Sequence, residues 1–179
     1  MLLPLHVVLL ELLIDPTCSI VLERQPAEID IIDRKPRDPK TSLLNAKTLA
    51  KSIIQGLTVF AASFGTYLAV LSGDPANAPT ARAMGLTIIM LANLFLVQVN
   101  SSDRDFVVKS IIRLAKDKVM WAVNIGTLLM LAIILYTPVS VFVKLAPLSP
   151  KYFLAALGIA AASVLWYEIV KLILKLRKK

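Results

Sequence analysis

The chain divides into five apolar blocks, about residues 2–22, 48–72, 82–100, 119–143 and 152–174, separated by polar or charged connections. At 1.5 Å per residue, each block is long enough for a helix to cross roughly 30 Å of hydrocarbon. The pattern predicts an all-α fold, a polytopic membrane helical bundle of five transmembrane helices. Clusters such as Ala61-Ala62-Ser63 with Gly65, and Ala155-Ala156 with Gly158 and Ala160-Ala161-Ala162-Ser163, are read as places where helices approach closely. Trp121, Trp166, Tyr136, Tyr152 and Tyr167 fall near span ends, where an aromatic belt would put them. No internal repeat or low-complexity tract interrupts the pattern.

The connections orient the spans. Connection 23–47 carries Arg24, Arg34, Lys35, Arg37, Lys40 and Lys47, and connection 101–118 carries Arg104, Lys109, Arg113, Lys116 and Lys118. The tail adds Lys171, Lys175, Arg177, Lys178 and Lys179, whereas the other side has Arg82, Lys144 and Lys151. Basic residues collect on the cytoplasmic side, so both charged connections and the C-terminus are expected there, with residue 1 outside. Segment 25–40 mixes both charge signs with three prolines and reads as an extended connection, either a solvated linker or a docking strap for a cytosolic domain.

Polar residues inside the blocks carry the chemistry. In the first block, Glu11-Leu12-Leu13-Ile14-Asp15-Pro16 places two carboxylates among aliphatic residues. Each acid near the bilayer centre costs about 2.5–3.5 kcal/mol, so the pair costs roughly 5–7 kcal/mol. The eleven Leu, Ile and Val residues from Leu5 to Leu22 return roughly 3–7 kcal/mol, so insertion is near balance and the acids call for a polar interior. Four residues apart, Glu11 and Asp15 share one helix face. Pro16 has no N–H, which frees the Leu12 carbonyl beside them. Carboxylate and carbonyl oxygens are what a hard cation prefers. The pair is read as a cation site, against the simpler reading that it only holds neighbouring helices together.

Other polar positions are secondary. Asn93 and Gln98 in the third block are read first as interhelical hydrogen-bonding groups, and second as contributors to a cation site. Asn100, near the end of that block, is read as an interhelical group. Thr17, Cys18 and Ser19 either lend oxygens or satisfy backbone groups at the proline. His6 reads as an interfacial residue, and Glu168 with Lys171 as a surface pair.

Composition narrows the function classes. Of 179 residues, 57% are hydrophobic and 18% charged, more apolar than a soluble domain of this size. The net charge of +8 does not point to nucleic acid, because the basic residues flank apolar blocks with no aromatic-basic surface between them. One cysteine and one histidine leave no internal disulfide and no zinc or His-based catalytic set. The first block lacks a positive start and a cleavage pattern and does not read as a signal peptide.

The run Leu3-Pro4-Leu5-His6, Glu11-Leu12-Leu13-Ile14-Asp15-Pro16, Gln25-Pro26, Ile29-Asp30-Ile31, Lys35-Pro36-Arg37 and Pro39 resembles the sixth membrane helix and following cytosolic loop of P-type cation-transporting ATPases. Within that family the chain resembles the bacterial calcium-pump-like group. The resemblance continues through Leu91-Ala92-Asn93-Leu94, Asn100, Leu135-Tyr136-Thr137-Pro138 and Tyr167-Glu168-Ile169-Val170-Lys171, so it covers residues 1–179. It implies that the five spans are the sixth to tenth membrane helices of such a pump, its C-terminal membrane domain. By the same resemblance, Asp15 matches the sixth-helix aspartate that ligates the ion, and Glu11 falls where calcium pumps carry an asparagine ligand. Ile14 stands at the position of a ligand threonine and cannot coordinate. Near Val99, where animal calcium pumps have a glutamate, the neighbouring amide is Gln98. These departures leave the transported cation open among calcium, manganese, sodium and the proton.

The resemblance also implies partners. The family hydrolyses ATP, with Mg, through an aspartyl-phosphate in an Asp-Lys-Thr-Gly-Thr motif that this chain does not contain. The chain would not hydrolyse ATP alone. The first five membrane helices and the actuator, phosphorylation and nucleotide domains would be supplied by a longer pump or by a split partner in the lipid bilayer of a bacterial plasma membrane. The alternative from another class is a free-standing small membrane protein serving as a regulatory, scaffold or passive ion-path subunit.

Overall fold

The computed structural model describes residues 2–23, 46–100 and 118–176, so the expected connections 23–47 and 101–118 lie almost wholly outside the described residues. Side chains of Lys47, Gln98, Val119, Met120 and residues 171–176 are likewise outside them. The described residues are helical, with no strand: α1 (Pro4–Glu23), α2 (Ala46–Leu71), a single 3-10 turn (Pro75–Asn77), α3 (Ala78–Asn100), α4 (Lys118–Tyr136), the one-turn α5 (Val139–Phe142) and α6 (Pro150–Leu176). Segments of α1, α2, α3 and α6 are long and apolar enough to cross a membrane, while α4 offers a shorter apolar stretch, Trp121–Tyr136.

Helix α3 is the centre of the bundle and packs against α1, α2, α4 and α6. Its residues Ala81, Ala83, Leu86, Thr87, Ile88 and Ala92 are fully buried. Small side chains let its neighbours come close. Ala156, Ala160 and Val164, four residues apart on α6, are buried, and on α2 the Ser63 hydroxyl donates to the Gly85 carbonyl at 3.1 Å. A Cβ on Gly85 would lie 3.2 Å from Ser63 Oγ, so α2 and α3 approach closely here. Of the small residues expected to pack, Ser63, Ala156 and Ala160 do so, whereas Gly65 and Gly158 face open space.

The outer face of α2 carries Leu49, Ile53, Leu57, Phe60, Phe64 and Leu68, all exposed at helical spacing. Phe60 and Phe64 stack at 5.5 Å. In hydrocarbon such a face is solvated rather than exposed, because lipid tails are as apolar as leucine.

Two prolines in the apolar blocks have different outcomes. At Pro16, helix α1 continues unbroken to Glu23. At Pro138 the helix stops, so the expected span 119–143 ends at Tyr136 instead. Pro138 has no N–H for the Ile134 carbonyl, and it disfavours a helical Thr137. Thr137 marks the break, its hydroxyl donating to Ile133 O at 2.7 Å while the oxygen accepts the Val139 N–H at 3.3 Å. Beyond it the chain turns through Lys144 at φ 53° and buries Val143, Leu145 and Leu148 under the end of the bundle.

That end is tied together by backbone-directed bonds. His6 is fully buried, its Nδ1 accepting the Leu3 N–H at 3.0 Å and its Nε2 lying 2.6 Å from Val143 O. An accepting Nδ1 leaves the proton on Nε2, which therefore donates to Val143. The Ala146 N–H reaches Pro79 O at 3.4 Å, and the Tyr136 hydroxyl donates to Leu148 O at 2.9 Å. Near the opposite end, Gln55 and Asn100 exchange amide contacts of 3.5 and 3.3 Å between α2 and α3. Lys51 Nζ sits 4.7 Å from the Tyr167 ring there.

Ala160→Leu should wedge α6 away from α3 and cost about 1–3 kcal/mol by overpacking. Unfolding of the purified protein in detergent measures this. Unchanged stability would show that α6 does not pack on α3 through Ala160.

Candidate functional site

Helix α1 presents two chemically different faces. Glu11, Asp15 and Ser19 lie on a side left exposed by the other helices, together with Val8, Leu12 at 65% exposure and Leu22. Leu9, Leu10 and Leu13 pack against the core on the other side, with His6 and Val21 buried. The four-residue spacing does place both carboxylates on one face, and that face points away from the bundle formed by the described residues. Among the described residues, no group of three or more His, Cys, Asp or Glu side chains comes together as a metal cluster.

The Thr17 hydroxyl bonds its own helix, donating to Leu13 O at 2.5 Å, and leaves Leu12 O unaffected. Pro16 offers nothing to Leu12 O, so this oxygen keeps its lone pairs beside the exposed acids. Between Pro16 and α4 lies an open, mostly apolar groove of about 200 Å³, lined by Leu12, Leu13, Pro16, Thr17 and Ile20 on α1 and by Val123, Gly126, Thr127 and Met130 on α4.

Asn93 is not brought to the carboxylates. It donates to Ile89 O at 2.9 Å on its own helix and lines a small cavity with Leu13, Ile14, Thr17, Cys18 and Thr127, which neither Glu11 nor Asp15 lines. Gln98 lies outside the described side chains. The contact of Thr17 with Thr127 across α1 and α4 was not foreseeable from either residue's surroundings in the sequence, because 110 positions separate them.

The family model for the C-terminus of cation transporting ATPases matches residues 1–173. The chain belongs to that family. It is thus an integral membrane protein, the C-terminal domain of a cation-transporting P-type ATPase. A calcium-transporting ATPase of Bacillus subtilis (strain 168) is 24% identical over 160 residues, which are 89% of this chain and 18% of that protein. The chain therefore spans less than a fifth of that relative's length.

Because Glu11 and Asp15 are exposed on the outer side of α1, replacing both by leucine should not loosen the bundle. It should favour insertion of α1 by about 3 kcal/mol or more per acid. Glycosylation mapping of the inserted fraction reads this directly. A drop in bundle stability would instead make the pair a structural clasp.

Proposed function

We infer that this chain supplies one part of the cation transport site of a P-type pump. Asp15 and Glu11, one turn apart on α1, act as carboxylate ligands of the transported cation, and the Leu12 carbonyl adds a neutral oxygen. The observation that carries this reading is the shared, outward-facing position of the two acids in a chain of this family. Two carboxylates in hydrocarbon are costly unless a counter-charge or further oxygens meet them. Calcium, one of the candidate cations, takes six to eight oxygens, so the remaining ligands would come from helices outside this chain.

In this reading the five helices are the sixth to tenth of the pump. The other membrane helices and the actuator, phosphorylation and nucleotide domains supply the rest, and ATP with Mg is consumed there rather than here. Phosphorylation would tilt α1 and its partners, changing the number of oxygens around the cation and hence its affinity. Gln98 stays a secondary ligand candidate, while Asn93 serves the interface between α1 and α3. In this reading the basic tail lies in the cytoplasm, the side that the excess of Lys and Arg favours, and the membrane is a bacterial plasma membrane. Ile14, where a hydroxyl ligand would otherwise sit, leaves Glu11 to set the preference among calcium, manganese, sodium and protons.

In the assembled pump, Asp15→Asn should abolish ion-dependent phosphorylation by ATP while leaving expression unchanged. Glu11→Gln should shift ion preference in liposome transport with calcium, manganese, sodium and potassium offered in turn. Normal ion dependence in Asp15→Asn would remove Asp15 from the site and favour a regulatory or scaffold role.

A further inference from the structure

The chain holds one histidine, and the proposed cation site does not use it. His6 is fully buried, with both ring nitrogens committed to backbone groups of fixed polarity. The Leu3 N–H can only donate, so Nδ1, at 3.0 Å, must carry a lone pair. Val143 O can only accept, so Nε2, at 2.6 Å, must carry the proton. One form of the ring meets both demands, the neutral imidazole protonated on Nε2.

The two bonds hold different parts of the chain. Leu3 precedes Pro4, the first residue of α1, and its carbonyl accepts the His6 N–H at 2.9 Å and the Val7 N–H at 3.4 Å. By accepting the Leu3 N–H in return, the His6 side chain fills the place that a glutamate or glutamine takes in a capping box. Across the bundle, Nε2 satisfies the carbonyl of the buried Val143, just before the chain turns through Lys144 at φ 53°. The ring therefore caps α1 and fastens its first turn to the connection between α5 and α6.

A second proton does not fit this geometry. On Nδ1 it would face the Leu3 N–H, two donors with no acceptor between them, and it would bury a charge. Relief requires the ring to leave its site, which takes Nε2 from Val143 O as well. The neighbouring elements at this end offer no counter-charge to prevent this. They carry Arg82 on α3, Lys144 in the connection and Lys151 on α6, while Asp74 is exposed and accepts the Ala76 N–H at 2.9 Å. Tyr136 on α4 gives its hydroxyl to Leu148 O, and Glu11 and Asp15 lie on the exposed side of α1. We propose that His6 is a proton-operated clasp, closed while its ring is neutral and opened by protonation, which frees the first turn of α1 and the Val143 carbonyl together. Leu9, Leu10 and Leu13 keep the helix packed on the core beyond it, so opening releases this end and not the whole of α1. On the reading that Glu11 ligates the cation, five residues further along the same helix, the clasp would make the position of that ligand sensitive to pH. The clasp itself stands without that reading.

Because the histidine is single, isotope labelling of histidine alone reports this ring directly. Nitrogen NMR of the full chain in lipid nanodiscs follows the ring as pH is lowered, and a leucine-labelled sample gives the exchange protection of the Leu3 amide. Near neutral pH the ring should be neutral with its proton on Nε2. As it protonates, Leu3 protection should fall several-fold in step. In His6→Gln, whose amide does not titrate, protection should not change over the same range. A proton on Nδ1 near neutral pH overturns the proposal, as does a ring that stays neutral until the protein unfolds. So does Leu3 protection that survives protonation of the ring, or that falls equally in His6→Gln, where the carboxylates of α1 would be responsible. If His6→Gln fails to fold, the wild-type tautomer and the coincidence of the two titrations still decide. Neither readout involves transport, so loss of the cation reading leaves the outcome unaffected.

Discussion

The close packing of α3 against α2 and α6, through Gly85, Ser63, Ala156 and Ala160, is the contact on which the remaining arrangement depends. In lipid there is no hydrophobic drive between helices, so association depends on how closely side chains interdigitate and on the polar bonds between helices. Small residues meet that condition between α2, α3 and α6. Helix α1 is held less extensively, on one side against α3 and α4 and at its end by His6. One side of it is therefore left open, and that is the side carrying Glu11 and Asp15.

The same economy governs the hydroxyl groups. Thr17, Thr66, Thr87, Thr127 and Thr137 each donate to the carbonyl four residues earlier. A threonine that bonds its own helix crosses hydrocarbon at little cost and keeps its oxygen as an acceptor toward a neighbour. Where two such hydroxyls meet, as Thr17 and Thr127 do at 3.4 Å, they link α1 to α4. Bonds between α2 and its neighbours use the same groups differently. Thr58 lies 3.1 Å from Ser163 O and accepts the Trp166 N–H at 3.4 Å, and Ser63 reaches Gly85.

Pro16 and Pro138 show where sequence reasoning reaches its limit. Both follow a residue able to bond locally, and both remove one helical hydrogen bond. Helix α1 nevertheless continues past Pro16, with Leu13 packed on the core and the Thr17 hydroxyl bonded to Leu13 O on the same helix. At Pro138 the chain gains more by turning, because Val143, Leu145 and Leu148 then cover the end of the bundle and present Val143 O to His6. No local pattern separates the two cases. The fate of His6 was equally hidden, since its partner is 137 residues away.

The sequence alone determined that the chain is a helical membrane protein, which apolar blocks of bilayer length dictate. It also determined that Glu11 and Asp15 share a face, because a spacing of four residues fixes that in any α-helix. Tertiary structure decided which way the face points. Periodicity relates residues within a helix, but the choice between interior and exterior depends on which helices pack against which side. Here α3 and α4 take the inner side of α1, bringing Thr17, Asn93 and Thr127 together, and leave the two carboxylates facing outward.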